Sequence, residues 1–396
     1  MRKNRFAFNA VIVGMLAALL IAASAAQAAA TPETAAVIRS ERPAVEVMFV
    51  LDTTSSMTGL IEAAKDKIWS IANTLATADP APDIRMGLVG YRDRGDAYVT
   101  VYTPLSGDLD AVYAQLMQFQ AIGGGDAPES VNQALAEAVS RPQWSKDASV
   151  YRVIFLVGDA PPKMNYPDDV KYPRSCEQAA QRDIVVNTIQ CGNMTATGPI
   201  WREIAQLGRG RYFQVAQSGS AVLYDTPYDE PIARLSRDLD ATRIYYGDAA
   251  HQKEMASRKE TADTIYDEAK PAAVAKRTIF NSKAAGARNF TGSQELVQAV
   301  ESGEKALNEI PREELPPELR SMNADELKAH IAARSKERKT LQAKISDLAK
   351  KRQHFIEEKV RKEKGGGTAS LDAKIYECIQ TQAAPKGLQY TKGPAY

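Results

Sequence analysis

Apolar runs and helical stripes alternate between residues 44 and about 215. Runs at 45–51, 84–91, 98–102, 151–157, 184–190 and 211–215 read as strands. Several are almost continuously apolar, as expected of strands covered on both faces of a parallel sheet. Between the first two, Leu60, Ala64, Ile68, Ile71 and Leu75 recur at helical spacing and predict a helix that buries one face. Further helices are expected near 109–119, 128–138, 176–183 and 199–207. This alternation predicts an α/β fold with a doubly wound, mainly parallel, Rossmann-like sheet.

Beyond residue 228 the pattern changes, and Lys, Arg, Glu and Ala dominate an all-helical C-terminal region. The longest helix is expected at about 324–364, where Asn323 and Glu326 have the spacing of a capping box. Leu327, Ile331, Leu341, Ile345, Leu348 and Phe355 follow with the 4,3 spacing of a coiled coil. Arg334, Arg338 and Arg352 fall on the same stripe, which favours a helix packed on neighbours over a free-standing zipper. The glycines at 365–367 end it, and a short helix at 371–382 precedes the tail.

Composition adds an address. Arg2, Lys3 and Arg5 precede an apolar run and then Ala26-Gln27-Ala28, the pattern of a cleaved signal peptide at 1–28. A linker at 29–42 leads to a sheet domain at 43–228 and the helical region at 229–396. No second membrane span follows, so the mature protein is expected to be periplasmic or secreted. With 50 basic and 49 acidic residues, the chain has no global field drawing it to nucleic acid. His251, His330 and His354 share no zinc-ligand spacing. In an oxidising compartment three cysteines permit one bond. Cys176 and Cys191 lie at the same edge of the predicted sheet and are the expected disulfide, whereas Cys378 lines up with Leu371, Ile375 and Ile379 as a buried thiol.

Chemistry concentrates on three loops. Asp52, Thr54 and Ser56 form D-x-T-x-S at the end of the first strand, just before a helix. Open α/β sheets bind ligands at that edge. Hard divalent cations take oxygen ligands, and Mg²⁺ usually keeps several waters, so an incomplete protein shell is normal. Gly123-Gly124-Gly125-Asp126-Ala127-Pro128-Glu129 precedes another helix, and Asp159 follows the strand at 151–157.

This combination resembles a von Willebrand factor A domain with a metal-ion-dependent adhesion site (MIDAS), in the branch that includes the hemicentin A domain and bacterial relatives. The resemblance covers roughly 43–228. It implies Asp52, Thr54, Ser56 and Asp159 as ligands of Mg²⁺, Ca²⁺ or Mn²⁺, with Thr54 standing where the family's motif has serine. Many members carry threonine on the second loop; this chain offers Asp126, the preferred ligand, and Glu129, the possible one. An extra carboxylate there makes the ion less electrophilic toward an acidic partner residue, so a permanently held, structural ion is the rival.

Plainer readings stand beside these. Asp52, Thr54 and Ser56 are also good helix-capping residues. Arg94-Gly95-Asp96 is expected to be a turn between strands. The proline-rich stretch 161–173 is expected to rim the site. The leading function is metal-dependent protein binding or adhesion in the cell envelope or extracellular space. The alternatives are a metal-assisted cell-envelope hydrolase and a helical scaffold whose metal is purely structural. The sequence carries no H-E-x-x-H, nucleophile elbow or phosphate loop, so a non-enzymatic role is favoured.

Overall fold

The computed structural model describes residues 42–125, 127–217, 224–362, 371–391 and 393–395. The expected signal at 1–28, the linker up to residue 41, Asp126 and the glycines at 365–367 lie outside the described residues.

The continuous apolar runs become the strands of a doubly wound sheet. In chain order they are β1 (Ala44–Asp52), α1 (Thr58–Leu75), β2 (Asp83–Tyr91), β3 (Thr100–Ser106), α2 (Leu109–Met117), α3 (Val131–Ser140), β4 (Tyr151–Gly158), α4 (Tyr172–Gln181), β5 (Ile184–Cys191), α5 (Thr197–Leu207) and β6 (Arg209–Val215). The sheet order is β3-β2-β1-β4-β5-β6; β3 runs antiparallel to β2 and the other neighbours are parallel. β4, wholly buried, and β1, buried from Val45 on, sit side by side at its centre, and their C-terminal ends deliver Asp52 and the turn at Asp159 to one edge.

Period-2 alternation divides the core. Val45, Val47, Phe49 and Leu51 face α1 and α2, with Trp69 the largest side chain there. Met48 and Val50 face α3, α4 and α5, against Leu135, Cys176 and Trp201. Burying an aliphatic or aromatic side chain of this size stabilises by about 1.5–3 kcal/mol, so each face contributes enough to fix the register.

The same alternation overturns the expected Cys176–Cys191 disulfide. Both thiols are free and buried. On β5, Ile184 and Val186 point to the α4 and α5 side, whereas Ile189 and Cys191 point to the α1 side. Cys176 lies on α4, so the sheet stands between the two sulfurs. The ends share an edge but not a face. Cys378 is a buried thiol, as expected, and burial pushes it up to about 12.

The helical remainder comprises α6 (Asp229–Asp240), α7 (Ala249–Glu268), α8 (Pro271–Asn281), α9 (Ala287–Thr291), α10 (Leu296–Glu301), α11 (Ala324–Lys362) and α12 (Leu371–Gln382). The described residues of the sheet domain and of the helical remainder belong to one compact unit. Phe280 of α8 packs on Trp69, and Ile375, Cys378 and Ile379 of α12 join the core on the α1 side. The capping box is present: Asn323 accepts from the Glu326 amide (2.9 Å), and Glu326 accepts from the Asn323 amide (2.8 Å).

No second helix pairs with α11 as a zipper among the described residues; its apolar stripe lies against α6, α8 and α10. The stripe's arginines explain why. Arg338 is buried against Glu295 (2.9 Å) and Arg352 against Asp229 (2.7 Å). Arg334 pairs at the surface with Glu337. A guanidinium at a zipper position needs such a partner when it is desolvated.

Candidate metal centre

The D-x-T-x-S loop folds around its own aspartate. Asp52 Oδ1 accepts the Thr54 amide at 2.9 Å and the Thr54 hydroxyl at 2.6 Å. The Thr54 and Ser56 hydroxyl oxygens are 3.2 Å apart. Neither the short 3₁₀ turn at Ser55–Met57 nor α1 has a side-chain N-cap bond. Helix capping therefore does not account for these three residues.

The glycine loop is bonded onto this turn. Ser55 N–H donates to Gly123 O (3.0 Å) and Ile122 N–H to Thr53 O (3.2 Å). Gly124 has φ +78°, and a Cβ there would lie 2.8 Å from the Thr54 Cβ and 3.4 Å from a Glu129 carboxylate oxygen. Only glycine lets the backbone pass between those side chains. Beyond it, Glu129 N–H donates to Pro161 O and Lys163 N–H to Glu129 O, tying the second loop to the third. That bridging delays α3 until Val131, three residues after the expected start. It also turns the Glu129 carboxylate inward, where the residue is only 4% exposed. Asp126, the preferred sequence candidate on this loop, lies outside the described residues.

The third loop starts at Gly158, where a Cβ would come within 2.4 Å of the Tyr91 hydroxyl and 2.9 Å of the Asp52 Cβ. The ends of β1, β2 and β4 are therefore in close contact. The Asp159 carbonyl accepts the Thr197 hydroxyl (2.7 Å), and its carboxylate accepts the Gln217 amide (2.6 Å).

Electrostatics show what these groups lack. Asp52 Oδ2, Glu129 Oε2 and the Tyr91 hydroxyl are buried without a hydrogen-bond partner among the described residues. Burial, reinforced by the charge of Asp159, pushes Asp52 up to about 7, although its Thr54 bonds oppose this. Glu129 is pushed up to about 8 by burial and then by the negative charges of Asp52, Asp93, Asp96 and Asp159. Among the described residues no three acidic, histidine or cysteine side chains form a ligand cluster alone. A cation here would draw on the hydroxyls of Thr54 and Ser56 as well as on carboxylates.

Two members of the site escaped sequence reading. Tyr91 ends β2 directly beside Asp52 in register. Gln217 follows β6 and reaches the Ser56 carbonyl (3.1 Å) as well as Asp159. The one available signal was position: each lies just at or past the C-terminal end of a parallel strand.

The rim is built as anticipated. Arg94, in the turn between β2 and β3, pairs with Asp168 (2.9 Å) and Asp169 (2.7 Å) and lies over the Tyr166 ring. This clips the proline-rich stretch beside the site.

These shifts predict a pH effect on the metal-free protein. In the native state Asp52 and Glu129 keep their protons to about pH 7 and 8, whereas their ordinary values are 3.8 and 4.5. The unfolded chain then binds fewer protons, so their contribution is complete below pH ~4 and is lost as pH rises through the folded values. In chelator, the stability of the wild type relative to an Asp52→Asn/Glu129→Gln variant should fall between roughly pH 5 and 8 and then level off. Urea unfolding across that range checks it; parallel curves would refute the assigned shifts.

A family model for the von Willebrand factor A domain matches residues 46–226. Human von Willebrand factor A domain-containing protein 7 is 35% identical over 121 residues, which is 31% of this chain and 12% of that protein. The chain thus matches only about an eighth of the length of such curated relatives. Among solved structures, the SpRpn10 VWA domain aligns with 44% of this chain and 89% of its own at 12% identity (TM-score 0.34). Proximal thread matrix protein 1 of the mussel byssus, with a zinc-occupied MIDAS motif, aligns with 44% of this chain and 42% of its own at 14% identity (TM-score 0.34). The family match runs from within β1 to beyond β6 and takes in all three loops of the site: residues 46–226 match the von Willebrand factor A domain.

Proposed function

We propose that the chain is an exported protein that binds a protein partner through a divalent cation held by Asp52, Thr54, Ser56, Glu129 and Asp159. The carrying observation is the pair of buried carboxylate oxygens on Asp52 and Glu129 that have no hydrogen-bond partner among the described residues, beside the Thr54 and Ser56 hydroxyls. A buried unsatisfied polar atom costs about 1–3 kcal/mol, and more when charged. A cation removes that cost. The donors are all hard oxygens, which suits Mg²⁺, Ca²⁺ or Mn²⁺. Bound there, the ion supplies positive charge and open coordination positions to a docking partner.

The surroundings favour a protein as that partner. Ile122, Met164, Val170 and Met194 are exposed large apolar side chains. All four sit on loops at the C-terminal edge of the parallel strands, around the candidate centre. Such a patch with a polar middle is the composition of a protein interface. The signal-like pattern read in the sequence at 1–28 supports an encounter in the cell envelope or outside the cell. No helix among the described residues is long and apolar enough to cross a membrane.

Capture of envelope proteins by the immobilised full chain tests this reading. The bands retained in Mg²⁺ should weaken by about tenfold or more in EDTA, with Asp52→Ala, and with Met164→Asp. Retention indifferent to all three would overturn it.

A further inference from the structure

A second surface lies on the helical region, made by residues that take no part in the metal centre. The inner stripe of α11, which includes Leu327, Ile331, Arg338 and Ile345, is buried. The stripe beside it is exposed and lines a groove of about 780 Å³, whose far wall is the end of α10 and Leu307. Val300, Leu307, Ile331, Ala332 and Ala343 make its floor apolar. Lys328, Lys336, Lys339 and Lys344 stand along it. The groove's one acid, Glu301, is already held by Ser335 and by Lys339 (2.6 Å). The other three lysines carry no ion pair among the described residues.

We propose that this groove docks an acidic amphipathic helix of a partner protein. Lys328 to Lys344 spans 16 residues of helix, about 24 Å at 1.5 Å per residue. That length accepts a partner helix of some four to five turns, laid in through apolar side chains at i, i+3, i+4 and i+7. Uncompensated ammonium groups along an apolar floor select Asp and Glu on the flanks of that helix. The same charge disfavours a second copy of this chain, because α11 would then set lysine against lysine. Small side chains at 332 and 343 allow the two backbones to approach closely.

The probe is a labelled 18-residue peptide with leucine at those spacings and glutamate on the flanks, mixed with the full chain in fluorescence anisotropy. The groove predicts binding that weakens with salt, is unchanged by EDTA, and falls by about tenfold or more in a Lys336→Glu/Lys344→Glu variant. A scrambled peptide of identical composition should bind at least that much more weakly. Both lysines are exposed, and an unchanged thermal midpoint verifies that the variant folds. Equal binding by the variant, equal binding of the scrambled peptide, or no binding would overturn the proposal. Lysine-dependent binding of anionic phosphatidylglycerol vesicles without peptide binding would also overturn it, in favour of a membrane surface. Because EDTA leaves this interaction untouched, its failure and failure of the metal-dependent reading are separable.

Discussion

Replacing Arg277 with alanine should destabilise the protein by about 3–5 kcal/mol, the cost of stranding a buried charge. Arg277 is fully buried on α8, yet its guanidinium grips Asp110 of α2 with two bonds, at 2.7 and 2.6 Å. It also reaches Asp240 at the end of α6 (3.1 Å) and the hydroxyls of Tyr266 (3.0 Å) and Ser236 (3.2 Å). One side chain therefore joins the sheet domain to the helical region. Burial alone would raise the Asp110 carboxyl, but Arg277 holds it below its ordinary value. That contribution is present above the unfolded value and lost as pH falls through the folded one. Without the guanidinium, the buried Asp110 carboxylate loses its two shortest bonds and keeps the long Asn289 contact (3.4 Å), while Asp240 is left to Arg243 (3.2 Å) and the Tyr266 hydroxyl. Replacing both partners with apolar residues, Arg277→Met with Asp110→Leu, should recover most of the loss, because the desolvation penalty disappears with the charges. Urea unfolding of the single and double variants measures this. A loss under about 1 kcal/mol for Arg277→Ala would show that the ion pair does not hold the two regions together.

The second large effect concerns Asp52→Asn, whose consequences should have opposite signs with and without metal. Without metal, asparagine keeps an oxygen to accept the Thr54 bonds and removes one of the crowded negative charges, so the apoprotein should hold its stability or gain. With metal, the central carboxylate is missing. Cation at a hundred times its Kd stabilises the wild type by about 2.7 kcal/mol, which appears as a rise of several degrees in thermal midpoint. Asp52→Asn should lose nearly all of that rise. Thr54→Val, which removes a hydroxyl donor and leaves the carboxylates in place, should lose part of it.

Much of this fold was legible because its signals are local. The runs of β1 and β4 announce strands buried on both faces, and the stripe from Leu60 to Leu75 announces α1. The Asn323 and Glu326 box marks where α11 begins. The first-loop triplet and Asp159 were legible because strand ends in a parallel sheet share an edge. What escaped depends on distance and face. The partners of Arg338 and Arg352 lie 43 and 123 residues away. Spacing along the helix could say that those arginines break a zipper, but not what they pair with. Cys176 and Cys191 were assigned by edge alone, and strand parity separates them. On the second loop, composition could not say that Glu129 turns inward; its bridge to Pro162 and the backbone path at Gly124 bury it, while Asp126 lies outside the described residues.

The central claim is that oxygens from separate loops meet around one cation. Isothermal titration of the full chain with Mn²⁺, after EDTA treatment and dialysis, tests it most directly. One ion per chain is predicted for the wild type, with no saturable binding in Asp52→Ala and sharply weakened binding in both Glu129→Gln and Asp159→Ala. Unchanged stoichiometry and affinity in all three variants would contradict the claim and place any bound ion elsewhere in the molecule.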